Sequence, residues 1–83
     1  MVGYGMTYKV FVEDGYYLFK LDSILKQRKI SINKLMRDTN TDFKVIKKII
    51  TGSIVRIDIY VLSRLCNYLN CEIADLIEYY KNK

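Results

Sequence analysis

The sequence predicts an all-α fold of five short helices, preceded over residues 1–20 by a β-hairpin or an extended arm. Three observations carry the prediction. From residue 21 onward the apolar residues recur at helical rather than alternating spacing. Stretches of that pattern are bracketed by residues that start or stop helices: Ser31, Asn40, Asp42, Gly52 and Asp58. No proline, low-complexity tract or internal repeat marks a linker, and 83 residues suffice for one domain with a modest core. Residues 21–80 are therefore assigned to the helical domain and 81–83 to a tail.

At the N-terminal end, "TYKVFVEDGYYLFK" (residues 7–20) sets Asp14-Gly15 between two runs rich in Val, Tyr and Phe, the short-range signal for a hairpin with a primed turn. A turn centred there pairs Val12 with Tyr17 and Val10 with Phe19. The competing reading gives Tyr16 onward to the first helix.

Helix 1 follows from Leu21, Ile24, Leu25 and Arg28 at i, i+3, i+4, i+7, with the aliphatic stem of Arg28 closing the stripe and an end near Lys29. Ser31 can cap helix 2, Ile32 to Asp38, with Leu35 pointing inward. Asn40 tolerates the left-handed conformation in the break that follows, and Asp42 can cap helix 3, Phe43 to Thr51, which Gly52 stops. After a loop, Asp58 can cap helix 4 with the stripe Leu62, Leu65, Cys66 and Leu69. Ile73, Leu76, Ile77 and Tyr80 then mark helix 5, with Asp75 and Glu78 outside.

Composition narrows the chemistry. With no histidine and only two cysteines, Cys66 and Cys71, the chain lacks the ligands for structural zinc and the usual general base of hydrolytic triads. No run of eighteen apolar residues spans a bilayer, and "MVGYGMTYKV" lacks the pattern of a secretory signal, so a cytoplasmic protein without a membrane segment is expected. The net charge of +5 is unevenly spread: residues 26–64 hold ten basic and three acidic residues, a local +7, and each end contributes −1. That clustering is the electrostatic footprint of a nucleic-acid or acidic-surface binder.

The excess is most ordered in "DFKVIKKIITG", residues 42–52. At about 100° per residue, Lys47, Thr51, Lys44 and Lys48 share one arc bordered by Phe43, while Val45, Ile46, Ile49 and Ile50 hold the rest. A solvated helix face usually mixes both signs of charge; this one carries no acid after its cap.

The stretch "ISINKLMRDTNTDFKVIKKIITG" followed by "VLSRLCNYLNCEIADLI" resembles the lambda-repressor-like, Cro/repressor-type helix-turn-helix domains over residues 21–77. Leu35 matches the buried leucine of the family's second helix, and Ile46 and Ile49 the buried pair of its recognition helix. Asn40 stands at the usual turn glycine, and Gly52 matches the stop glycine. Departures are Met36 for a usual alanine, Thr39 for an apolar residue, Glu72 for a Ser/Thr cap and Ile32 for a phosphate-gripping glutamine.

The resemblance implies a sequence-specific regulator of repressor type, prokaryotic or phage, that binds double-stranded DNA as a homodimer, without catalysis or cofactor. Carried over residue by residue, it makes Asp42, Phe43, Lys44, Lys47 and Lys48 the base-facing candidates, and Ser31, Asn33, Lys34, Thr41 and Arg56 the phosphate candidates. Phe43 has a competing place in the core beneath Ile46 and Ile50. Tyrosines at the two ends, Tyr4, Tyr8, Tyr16, Tyr17, Tyr79 and Tyr80, and the hairpin edge are candidate dimer surfaces. The alternative function is a protein-interaction module on the same fold, such as an antitoxin, an antirepressor or an inhibitor of another protein.

Overall fold

Three of the helices begin where a short polar side chain meets an amide that the helix itself leaves unbonded. The computed structural model describes residues 6–82, in the order β1 (Tyr8–Val12), β2 (Gly15–Phe19), α1 (Leu21–Gln27), α2 (Ile32–Thr39), α3 (Phe43–Thr51), α4 (Ile59–Leu69), α5 (Ile73–Leu76) and β3 (Ile77–Lys81). The Ser31 hydroxyl accepts from the Lys34 amide at 3.0 Å to open α2, the Asp42 carboxylate from the Lys44 amide at 3.1 Å to open α3, and the Asp58 carboxylate from the Tyr60 amide at 2.8 Å to open α4. The three helices end in left-handed residues, Asn40 (φ 51°), Gly52 (φ 75°) and Asn70 (φ 52°), whose amides return to carbonyls of the last turn.

The expected inward anchors form the core: Leu21, Leu25, Leu35, Ile46, Ile49, Leu65, Leu69 and Leu76 are all fully buried. One stripe is rotated. On α4 the buried set is Val61, Leu65 and Leu69, spaced i, i+4, i+8, so Leu62 lies at the flank of the buried face instead of within it. Arg28 does more than lend its stem, since its guanidinium donates to the carbonyl of Leu69 and so braces the end of α4 against α1.

The all-α expectation needs correction at the C-terminal end. The predicted fifth helix stops after one turn at Leu76, and Ile77–Lys81 becomes β3, antiparallel to β2 in a three-stranded sheet of order β1-β2-β3. Ile-Glu-Tyr-Tyr-Lys is rich in residues that suit a pleated surface, and β2 offers a row of backbone groups that a continued helix would leave unpaired. The arm over residues 1–20 is thus a hairpin from Tyr8 onward, built into the same sheet as the C-terminal strand, and the expected tail contributes Lys81 to β3. Tyr4 and Lys83 lie outside the described residues.

The hairpin register also differs from expectation. Val10 pairs with Tyr17 and Tyr8 with Phe19, so the turn falls on Glu13-Asp14, and neither residue has the positive φ of a primed turn. The slip is two residues, which keeps every side chain on its expected face. Gly15 explains it: a Cβ there would lie 2.2 Å from the Tyr80 carbonyl oxygen, so the glycine serves strand approach rather than the turn. One face of the sheet turns Tyr8, Val10 and Phe19 toward the helices, and the other presents Phe11, Tyr16 and Tyr80.

Candidate nucleic-acid interface

Two helices and a three-residue turn position the basic stripe. Leu35 of α2 and Ile46 and Ile49 of α3 are buried in the core, which fixes α3 with its opposite side outward. The turn is tied internally. Thr39 donates its hydroxyl to the Leu35 carbonyl at 2.5 Å, Thr41 donates to the Thr39 carbonyl at 3.1 Å, and the two hydroxyl oxygens stand 2.9 Å apart. Arg64 of α4 donates through Nε to the same Thr39 carbonyl at 3.0 Å, capping α2 from outside. Thr39, noted above as a departure from a usual apolar residue, is therefore satisfied where it stands.

On the outward side of α3, Phe43, Lys44, Lys47 and Lys48 are all exposed, with Thr51 beside them. Phe43 is 42% exposed, and the Lys47 ammonium sits 5.9 Å from its ring centroid. The ring is not beneath Ile46 and Ile50, which corrects the core alternative. Asp42 is exposed too, with one carboxylate oxygen engaged in capping and the other open.

Three lysines elsewhere on the chain are paired with carboxylates: Lys20 with Glu78 at 2.9 Å, Lys26 with Asp22 at 3.2 Å, and Lys34 with Asp38 at 2.9 Å. Lys44, Lys47 and Lys48 have no such partner among the described residues. The result is a helix face of one sign.

The phosphate candidates separate into three situations. Asn33 is exposed beside the turn, and Arg56 is exposed in the α3–α4 loop, bordering a shallow depression with Lys48 and Ser53. Ser31 and Lys34 are exposed but already occupied, the first as cap and the second with Asp38. Thr41 is only 6% exposed and its hydroxyl is spent inside the turn, so it is corrected from a phosphate candidate to a structural residue.

Arg37 is a candidate that the sequence reading passed over. It is exposed, and it shares with Asn33, Asn40 and Asp42 a cleft at the start of α3. The signal was available in the i, i+4 spacing from Asn33.

Below the interface, Asp38 accepts from the Tyr68 hydroxyl at 2.5 Å and from Lys34 at 2.9 Å. The tyrosine hydrogen bond first, and Lys34 second, hold the Asp38 carboxyl below its ordinary range. The same contacts hold Lys34 and Tyr68 above theirs. Among the described residues no group of three or more His, Cys, Asp or Glu side chains is placed to hold a metal ion, and no helix is long and apolar enough to cross a membrane. Burial raises the Cys71 thiol above its ordinary pKa, which disfavours the reactive thiolate.

A family model described as Cro/C1-type HTH DNA-binding domain matches residues 20–82. No curated protein and no solved structure matches the chain.

Proposed function

The chain belongs to the Cro/C1-type helix-turn-helix DNA-binding domain family, and from that premise we propose a transcriptional regulator of repressor type, prokaryotic or phage, that reads duplex DNA with α3 in the major groove. It acts as a dimer on paired half-sites, in the cytoplasm at the nucleoid, without catalysis or cofactor. The observation that carries this reading is the face of α3 on which Lys44, Lys47 and Lys48 stand exposed side by side with no carboxylate partner among the described residues.

The dimensions agree with the role. A nine-residue helix is about 14 Å long, and the major groove, roughly 12 Å wide, admits one helix. Lys44, Lys47 and Lys48 donate to guanine O6 and N7 or to phosphate, the open oxygen of Asp42 accepts from a cytosine amino group, and the Phe43 ring lies against a thymine methyl. Asn33 and Arg37 hold the backbone on one side of α3, and Arg56 holds it on the other. Because Ile32 offers no amide, that clamp depends on Asn33 and Arg37.

Selection of bound duplexes from random DNA, followed by a salt titration of the winner, tests the reading. Enrichment of a two-fold-related sequence, with affinity falling steeply as salt rises, is expected. Absence of both, or binding that ignores substitution of the α3 lysines, overturns it.

A further inference from the structure

The end of α4 closes in two nested hydrogen bonds. Past Leu69, Asn70 turns left-handed at φ 52°, its amide donates back to the Asn67 carbonyl at 3.3 Å, and the Cys71 amide donates to the Cys66 carbonyl at 3.0 Å. This pattern sets the side chain of the last-turn residue against that of the residue just past the left-handed one. The longer of the two bonds also ends α2, from Thr41 to Met36 at 3.1 Å, and α3, from Ser53 to Lys48 at 3.0 Å. On α4 alone both positions carry cysteine, and these two are all the cysteines the chain has.

The backbone bond limits how far apart they stand. Each α-carbon lies within two covalent bonds of its end of that hydrogen bond, which confines the pair to less than about 7 Å, inside the limit for a disulfide. Both thiols are free and half-buried, within reach of small solutes. The sulfurs are neighbours too. Burial first, then the charge and hydrogen bond of Cys66, raise the Cys71 thiol above its ordinary pKa, with Asp75 adding to the rise and Arg28 opposing it.

We propose that Cys66 and Cys71 form a reversible intrachain disulfide when the protein meets a hydroperoxide, a thiol switch at the end of α4.

Burial sets the order of events. Cys71 is held protonated and is the poorer first nucleophile, so Cys66 reacts as thiolate with the outer peroxide oxygen. The S–O bond forms, the O–O bond breaks, and the departing alkoxide or hydroxide takes up the thiol proton. Cys66 is now a neutral sulfenic acid, so its charge no longer holds Cys71 protonated. The Cys71 sulfur loses its proton and attacks the Cys66 sulfur; the S–S bond forms, the S–OH bond breaks, and hydroxide leaves as water. Two thiols have given two electrons to one peroxide.

The ring that closes spans residues 66–71 and holds a turn already anchored. Leu69 within it is fully buried, and its carbonyl accepts from the Arg28 guanidinium. Cys71 precedes Glu72, whose amide donates to Asp75 at 2.9 Å to open α5, and α5 leads straight into β3. The bond therefore locks the joint between the helices and the C-terminal strand, and by restricting the unfolded chain it favours the folded one.

Intact-mass spectrometry and thiol titration of the full chain after a slight excess of hydrogen peroxide test the proposal. Wild type should lose both thiols, keep the mass of one chain less two hydrogens, and recover both thiols in dithiothreitol. Its Tm should stand several degrees higher oxidised than reduced. Cys71→Ser should instead stop at a sulfenic acid on Cys66, which dimedone captures. In wild type, thiols that survive the peroxide, disulfides formed only between chains, sulfinic acids in place of the disulfide, or a disulfide that lowers Tm would each overturn the proposal.

Discussion

Tyr68 of α4 donates its hydroxyl proton to Asp38 of α2 at 2.5 Å, and the same carboxylate oxygen accepts from Lys34 at 2.9 Å. Through this one oxygen α2, which precedes α3, is fastened to α4, which follows it. The folded-state pKa of Asp38 is depressed, so its contribution to stability is present above the unfolded value of about 3.9 and is lost as pH falls through the folded value. Lys34 and Tyr68 are raised, so theirs is present below their unfolded values and is lost as pH climbs through the folded ones. Thermal melts of wild type and Asp38→Asn across pH should differ most in the neutral range and converge in acid. A difference that persists in acid would contradict the assignment.

Each α3 lysine that reads a base should cost roughly 1–3 kcal/mol of duplex affinity when changed to alanine, with relaxed sequence preference at one position. A lysine that only neutralises phosphate should instead lower the slope of log affinity against log salt by about one. Lys44→Ala, Lys47→Ala and Lys48→Ala, titrated by anisotropy at several salt concentrations, sort the three side chains into these roles.

Exposure of the Phe43 ring has a stability signature. Phe43→Ala should change unfolding free energy by about 0.5 kcal/mol or less, as exposed positions do, whereas Ile46→Ala in the same helix should cost about 2–5 kcal/mol. Urea melts of the two variants decide it. Equal losses would return Phe43 to the core.

Both described glycines are held to their identity by close neighbours. Gly52→Ala combines a left-handed backbone with a Cβ driven into Val10 and Phe19, and about 2–4 kcal/mol of destabilisation is expected. Gly15→Ala meets the Tyr80 carbonyl, which is backbone and yields little, so amide-exchange protection should fall in β3 before it falls in α2 or α3. Uniform loss of protection would show that the sheet and the helices open as one unit.

Much of this was legible because it is local. Ser31, Asn40, Asp42, Gly52 and Asp58 act on amides and carbonyls within a turn of themselves, and a single sequence displays such chemistry in full. The lysine arc was legible for the same reason, since helical spacing and an apolar opposite face are enough to aim it. What escaped depended on distant partners. Ile73, Leu76, Ile77 and Tyr80 satisfy a helical period as written, and only the presence of β2 turns Ile77–Lys81 into a strand. The hairpin slipped by two residues because Gly15 answers to Tyr80, not to the turn. Leu62 and Val61 fit equally well beside Leu65 and Leu69, and packing against the other helices chose Val61. Thr41 looked like a polar turn residue free to meet a phosphate until Thr39 claimed its hydroxyl.

The central strand β2 joins the two ends of the chain, with Gly15 opposite Lys81 and Phe19 opposite Ile77. Such pairings close long loops and form late, after helices whose contacts are short in sequence. The chain also labels this step for itself. Of its eight tyrosines, five (Tyr8, Tyr16, Tyr17, Tyr79 and Tyr80) belong to the three strands, and it has no tryptophan. Intrinsic fluorescence in a refolding experiment therefore reports chiefly on the sheet, while the far-ultraviolet signal reports chiefly on the helices. A delay of the first behind the second would time the moment at which Val10 and Phe19 of the sheet close over Gly52 at the end of α3.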